Sequence, residues 1–148
     1  MILQSLDTNI LLYAINADCP EHSICADLVE TAVDQGDQWI IADQVWFELY
    51  RLLRNPAVLS KPLGAGEAAD TISWYRSATG WQHCAWEPGM MPKLASRWTL
   101  DSFPVRRSFD LILAITLKEH GVDVLHTRNT KDFEGLNYFM VKNPLAQL

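Results

Sequence analysis

The first ten residues, Met1 to Ile10, read MILQSLDTNI, and their reading decides the fold. Ile2, Leu3 and Leu6 form a short apolar run of strand length that stops at Asp7. Thr8 and Asn9 follow, and the chain turns apolar again through Ile10, Leu11, Leu12 and Tyr13. Residues 2–6 therefore read as a buried strand. Asp7 or Thr8 reads as the cap of a helix reaching towards Asn16, because a side-chain oxygen there accepts a hydrogen bond from a free backbone N–H. A strand passing directly into a helix, with a carboxylate at the junction, raises the question of what that carboxylate is for.

The same alternation continues along the chain. Pro20 stands where a second helix starts, Ala26, Leu28, Val29, Ala32 and Val33 form its apolar face, and Gly36 closes it. Trp39-Ile40-Ile41 reads as a strand, and Asp43 as the cap of a third helix, DQVWFELYRLLRN, ended by Asn55-Pro56. VLSKPLGAG is a loop, Gly66 to Ala78 a fourth helix stopped by Gly80, and Trp81 to Ala85 a short strand. A helix follows near Met91 to Leu100, and then SFDLILAITLKEHG, a helix capped by Ser108 and ended by Gly121. VDVLHT is a strand, NTKDFEGL a loop, and YFMVKN the last strand before Pro144. Strands alternating with helices predict an α/β fold with a mostly parallel central sheet of four to five strands and helices on both faces. In such sheets the functional crevice lies beyond the carboxyl ends of the strands, and Asp7 stands at such an end.

The chain has 148 residues, the size of a single domain spanning 1–148 with a real core. A hydrophobic fraction of 49% and six tryptophans fit a packed globule. The net charge of -6 argues against a protein that coats nucleic acid by bulk electrostatics, but not against an enzyme that meets it through cations and a local basic rim. Cys19, Cys25 and Cys84 are odd in number and lack CxxC spacing, so they read as reduced thiols of a cytoplasmic protein. No basic region precedes the first apolar stretch, which therefore does not read as a secretory leader. No apolar run approaches the roughly 18 residues that span a bilayer, and a membrane role is not expected.

Three acids sit where water does not readily explain them. Glu48 is flanked by Trp46, Phe47, Leu49 and Tyr50, and Asp110 opens a helix that is apolar on nearly every side. Asp7 ends the first strand. An unpaired buried carboxylate costs several kcal/mol, and a helix N-terminus returns only about 0.3–1 kcal/mol for Asp7 and Asp110. Each acid taken singly has an ordinary reading. Asp7 is a cap, Asp110 a first-turn acid, Glu48 a partner of Arg51, and Asp132 a solvated loop residue. Together, at strand–helix junctions of one α/β chain, they suggest a cage for a hard divalent ion, which takes oxygen ligands. The segment HTRNTKDF adds Thr127, Asn129 and Asp132 as further oxygen donors.

In series, LDTNI, VWFELYRLLR, SFDLILAITLKEHG and VLHTRNTKDFEGL resemble the PIN-domain family, and within it the VapC-like ribonuclease toxins of type II toxin–antitoxin pairs. The resemblance spans nearly the whole chain and implies Mg²⁺- or Mn²⁺-dependent hydrolysis of RNA phosphodiesters. It implies Asp7, Glu48, Asp110 and Asp132 as the catalytic acids. The same acids, with Asn129 orienting or ligating beside Asp132, would be the metal ligands, and Thr8 and Thr127 would support them. It also implies a protein antitoxin as partner and a homodimer. The middle segment GWQHCAWEPGMMPKLASRW is richer in tryptophan than is typical of small members.

Arg106, Arg107, Arg128 and Lys131 flank the late acids and are candidates to contact RNA phosphates, with Arg51 and Arg54 following Glu48. Trp74, Trp81 and Trp86 suit either stacking on unpaired bases or, preferably, packing. His83, His120 and His126 show no metal or triad spacing and read as structural, and Ser5 lacks the glycines of a nucleophile elbow. Two other readings stand beside the nuclease. One is a catalytically inactive PIN-like module that binds RNA or protein. The other is a receiver-like phosphotransfer domain, which would need a lysine ending a late strand; VDVLHT supplies none.

Overall fold

The computed structural model describes residues 1–146, and among them five short strands and six helices alternate. The strands are β1 (Gln4–Leu6), β2 (Ile40–Ala42), β3 (Gln82–Cys84), β4 (Val124–His126) and β5 (Met140–Lys142). All pairings are parallel. In one ladder β1 pairs β4 and β4 pairs β5, with Ser5 opposite Leu125 and Leu125 opposite Val141. In the other β2 pairs β3, with Ile41 opposite His83. The two ladders meet at a single parallel bridge between Gln4 and Trp39, which sets the strand order β3-β2-β1-β4-β5. Beside that bridge the Ser5 hydroxyl donates to the Ile40 carbonyl at 2.6 Å, so a side chain takes the acceptor that a continuous ladder would give to backbone. The expected parallel sheet is present, in a three-stranded and a two-stranded piece.

Every residue of β2 and β4 is buried. Successive side chains of a strand point to opposite faces, so burial of all three means cover on both faces. That cover comes from α1 (Thr8–Ile15), α2 (His22–Gln35), α3 (Asp43–Leu53), α4 (Ala65–Ala78), α5 (Met91–Trp98) and α6 (Ser108–Glu119). Leu6, Ile10, Leu11, Trp39, Ile41, Leu49, Leu53, Leu117 and Leu125 form the centre of the main core. A second cluster of Met90, Leu94, Leu111 and Ile115 lies under α5. Helix α6 serves both clusters, Leu113, Ala114 and Leu117 in the first and Leu111 and Ile115 in the second, which is why its sequence is apolar all round.

Three helix starts differ from the sequence reading. Asp43 and Ser108 are the first residues of α3 and α6 rather than their caps; Ala42 and Arg107 hold those positions without a side-chain bond. The Ser108 hydroxyl instead donates back to the Val105 carbonyl at 2.9 Å. Pro20 lies in the turn before α2, which begins at His22. Gly36 ends α2 as expected, with a φ of 45° and its N–H on the Ala32 and Val33 carbonyls. The loop NTKDFEGL contains a turn of 3-10 helix from Thr130 to Phe133.

The strand order reverses at β1. Successive crossovers run from β1 out to β2 and β3, and the chain then returns to the other side of β1 as β4. The crevice beyond the carboxyl ends of β1 and β4 is thus the topological switch point where α/β sheets hold ligands. Asp7 follows β1 there and Thr127 follows β4.

Candidate active site

Asp7 is the N-cap of α1, and its buried carboxylate has a partner on each oxygen. The Thr8 N–H donates to Oδ1 at 2.8 Å and the Thr127 hydroxyl to Oδ2 at 2.7 Å. The backbone completes the link, since the Asp7 N–H donates to the His126 carbonyl at 2.9 Å. Asn9 reinforces it. Its amide lies 3.4 Å from both Asp7 Oδ2 and Thr127 Oγ1, and its Oδ1 accepts the Arg128 N–H at 3.1 Å. The Thr127 hydroxyl also accepts the Asn129 N–H at 3.1 Å. Sequence reading placed Thr8 and Thr127 at this site and missed Asn9, whose importance depends on a threonine 118 positions away. Thr8 contributes its backbone N–H, while its side chain is buried.

The other acids reach the same crevice from separate elements: Glu48 from the middle of α3, Asp110 from the first turn of α6, and Asp132 from the turn after β4. Their charges act on one another in addition to the effect of burial. Burial raises the Asp110 carboxyl to about 6, and the charges of Asp132, Asp7 and Glu48 push in the same direction, opposed by Arg107. Asp7 is also raised, first by burial and then by Asp132, against the stabilising bonds from Thr127, Thr8 and Asn9. Glu48 stands at the water-accessible rim, yet the protein around it still raises its carboxyl by desolvation, followed by Asp7, with Arg51 opposing. The opposing charges of Arg107 and Arg51 do not cancel the effect on Asp110 and Glu48. Among the described residues none of the four is in an ion pair with Lys or Arg.

The donor set is all oxygen and anionic, which fits a hard divalent ion. No three Asp, Glu, His or Cys side chains among the described residues converge closely enough to enclose an ion by themselves. An open arrangement suits Mg²⁺, which keeps several waters and is bound by one or two carboxylates together with substrate phosphates. Asn129 is exposed beside the group, with its carbonyl accepting the Asp132 N–H at 3.0 Å.

The basic residues divide into two kinds. The Arg107 guanidinium donates to the backbone carbonyls of Asp132 and Glu134 and so clasps the acid-bearing turn to the start of α6. Arg128 is committed elsewhere: its Nη1 donates to the Tyr13 hydroxyl at 2.7 Å and to Glu21 at 3.1 Å, and its guanidinium lies 5.5 Å from the Tyr13 ring centre. Arg106 and Lys131 are exposed. The tryptophans divide likewise. Trp81 is buried, stacked on Tyr75 at 5.5 Å and bonded to the Ala32 carbonyl, Trp86 packs against the second cluster, and Trp74 is exposed. His126 is buried against Trp39, with Nε2 2.8 Å from Gln4 Oε1. Burial, and then Lys142, lower its pKa to about 4, so it is neutral and structural at physiological pH. Cys19, Cys25 and Cys84 are free thiols.

Comparison with known proteins fits this geometry. The family model described as "PIN domain" matches residues 5–136. The chain is 40% identical over 145 residues to Ribonuclease VapC24 of Mycobacterium tuberculosis, covering 96% of this chain and 97% of that protein. Two solved structures share the fold at low identity. VapBC2 from Rickettsia felis, bound to a promoter DNA fragment, has a TM-score of 0.66 at 18% identity, covering 96% of this chain and 98% of that one. DNA-bound VapBC from Salmonella typhimurium has a TM-score of 0.68 at 15% identity, covering 97% and 99%.

Proposed function

The chain belongs to the PIN-domain family, and on that premise we propose that it is a divalent-metal-dependent endoribonuclease, the toxin of a toxin–antitoxin pair. What supports the reading is that Asp7, Glu48, Asp110 and Asp132, from four chain segments, lie near enough for the charges of Asp132, Asp7 and Glu48 to add to burial in raising the Asp110 carboxyl. The name of the 40% identical relative supports RNA as the substrate, and a fold relative described as a toxin–antitoxin complex from Klebsiella pneumoniae supports a protein antitoxin. In this reading residues 1–148 act as one domain in the cytoplasm, as a homodimer. Among the described residues no helix is long and apolar enough to cross a membrane.

Asp7, Asp110 and Asp132 would hold the ion, with Glu48 at the rim completing the site and Asn129 orienting or ligating beside Asp132. Mg²⁺ or Mn²⁺ bound there would supply Lewis acidity towards the phosphoryl oxygens and would lower the pKa of a coordinated water. The protein's own contribution is positioning. Thr127 and Thr8 fix both oxygens of Asp7, and Arg107 holds the turn that carries Asp132 through its backbone carbonyls. Arg106 and Lys131, exposed beside these acids, are suited to draw phosphates of an acidic substrate towards an acidic protein.

A mixed panel of folded RNAs incubated with the purified chain and Mg²⁺ or Mn²⁺ tests the proposal, with Asp7→Ala and Asp110→Ala in parallel. Cleavage by the parent alone is expected; equal cleavage by both variants would sink the metal-site model. The lack of a preformed three-acid cage favours one other reading, a catalytically inactive PIN-like module that binds RNA or protein. That reading requires that Mn²⁺ fail to bind at Asp7 and Asp110.

A further inference from the structure

Arg128 stands between Thr127, which bonds Asp7, and Asn129, which bonds Asp132, yet its own side chain runs to α1 and the turn before α2. Its Nη1 donates to the Tyr13 hydroxyl at 2.7 Å and to Glu21 Oε1 at 3.1 Å, and its guanidinium lies 5.5 Å from the Tyr13 ring centre. The acceptors are themselves held. His22 Nδ1 lies 2.9 Å from the Tyr13 carbonyl, the Cys19 thiol donates to the Asn16 carbonyl at 3.2 Å, and the Glu21 side chain is only 14% exposed. No Lys or Arg precedes Arg51 in the chain, so a cation for this acidic region has to come from elsewhere. Among the described residues Arg128 is the one that pairs with an acid there.

A guanidinium that grips two acceptors and a ring face has its direction fixed, and with it the backbone that carries it. That backbone is wired to the site on both sides. The Arg128 N–H donates to Asn9 Oδ1 at 3.1 Å, and the Asn9 amide lies 3.4 Å from both Asp7 Oδ2 and Thr127 Oγ1. The Asn129 N–H donates to Thr127 Oγ1 at 3.1 Å, and the Asn129 carbonyl accepts the Asp132 N–H at 3.0 Å. Arg128 and Asn129 are exposed, so these bonds rather than core packing seat the stretch between Thr127 and Asp132. We infer that Arg128 is a positioning residue: by gripping Tyr13 and Glu21 it seats this stretch on α1 and sets Thr127 against Asp7 and Asn129 and Asp132 beside it. It acts through Thr127 and Asn129, not on the ion or the substrate. The inference rests on the metal-site reading and adds to it a clamp that tunes the site from outside the crevice.

The test is Mn²⁺ binding and amide hydrogen exchange on the full chain. Arg128→Gln removes the grip and should weaken Mn²⁺ binding by roughly 3- to 60-fold, the worth of one hydrogen bond together with a half-exposed ion pair. The double variant Tyr13→Phe/Glu21→Gln leaves Arg128 in place, removes both acceptors and should weaken binding within the same range. Adding Arg128→Gln to it should cost nothing further, because both ends serve one interaction. Arg76→Gln breaks the pair with Asp43, away from the site, and should leave Mn²⁺ affinity unchanged. Unchanged affinity in Arg128→Gln, with only a lower melting temperature, overturns the inference. A loss in Arg128→Gln that Tyr13→Phe/Glu21→Gln does not share also overturns it, and puts Arg128 at the ion or the RNA itself. Hydrogen exchange of the metal-free chain, followed by NMR, needs no ion. The Asn129 amide should exchange faster in both variants by the same roughly 3- to 60-fold, with the α6 amides unaltered. If the parent binds no Mn²⁺ while this exchange quickens, the clamp stands and the metal-site reading falls. If the parent binds Mn²⁺ and the exchange is unaltered, the clamp alone falls.

Discussion

Replacing Asp110 by Asn should abolish cleavage and, without metal, stabilise the protein. The magnitude follows from the Asp110 carboxyl, which titrates at about 6 against an ordinary 3.8. A folded-state pKa raised in this way means that the protonated form is favoured. Stability from this group is complete below about pH 4 and is lost as the pH rises through about 6. At about 1.36 kcal/mol per unit the full shift would be worth roughly 3 kcal/mol. Asp110 is only half-buried, and solvent screening reduces this to about 1–2 kcal/mol. Asparagine keeps the shape and removes the charge. Urea unfolding of the metal-free chain should therefore place Asp110→Asn about 1–2 kcal/mol above the parent at pH 8, and level with it near pH 4. Thermal melts at pH 8 should show a gain of roughly 2–8 °C. Comparing the two chains at each pH cancels titrations common to both. Adding Mn²⁺ should reverse the order at pH 8, because a ligand stabilises only the chain that binds it. An equal difference at pH 4 and pH 8, or a variant less stable than the parent without metal, would refute the claim that burial, with the acidic neighbours, strains the ionised Asp110.

Other residues give independent tests. His126 is held at about 4, below its ordinary 6.5, so it lends stability above pH 6.5 that is lost as the pH falls through 4; His126→Gln should flatten the acid limb of a pH–stability curve by up to about 3 kcal/mol. Thr127→Val removes the hydroxyl bonded to Asp7 Oδ2. Loss of such a ligand-orienting bond should lower Mn²⁺ affinity about 10- to 100-fold, read by isothermal titration, with the far-ultraviolet dichroism unchanged. Leu117→Ala empties a fully buried position of α6 and should cost about 2–5 kcal/mol in urea unfolding. A cost under 1 kcal/mol would mean that α6 is not sandwiched between the two clusters.

The strand–helix alternation was legible because the central strands lie in short, mostly apolar runs, β2 (Ile40–Ala42) wholly so, and most turns carry Gly or Pro. Cap positions were less so. Asp43 and Ser108 look like caps in sequence, but capping depends on backbone angles one residue earlier, and Ala42 and Arg107 occupy those positions. The seam between β1 and β2 was hidden because a serine hydroxyl satisfies the Ile40 carbonyl, which strand patterning does not reveal. At the site, Glu48 and Asp110 drew notice because a carboxylate among apolar neighbours is costly. The proposed roles of these acids rest on chemistry and resemblance, while their electrostatic coupling emerges only in the folded chain. Asn9 and Arg107 escaped as organising residues, since each acts on segments far away in sequence. Arg128 looked free for RNA, but α1 and the turn before α2 bring Tyr13 and Glu21 to it.

The central claim is that Asp7, Glu48, Asp110 and Asp132 form one divalent-ion site, and Mn²⁺ binding to the purified chain tests it most directly. Titration followed by electron paramagnetic resonance at pH 7.5 should show saturable binding by the parent. It should weaken as the pH falls through about 6, where Asp110 takes up its proton, and be lost in Asp7→Asn and Asp110→Asn. Binding of equal strength in both variants, or none in the parent at pH 7.5, would contradict the account.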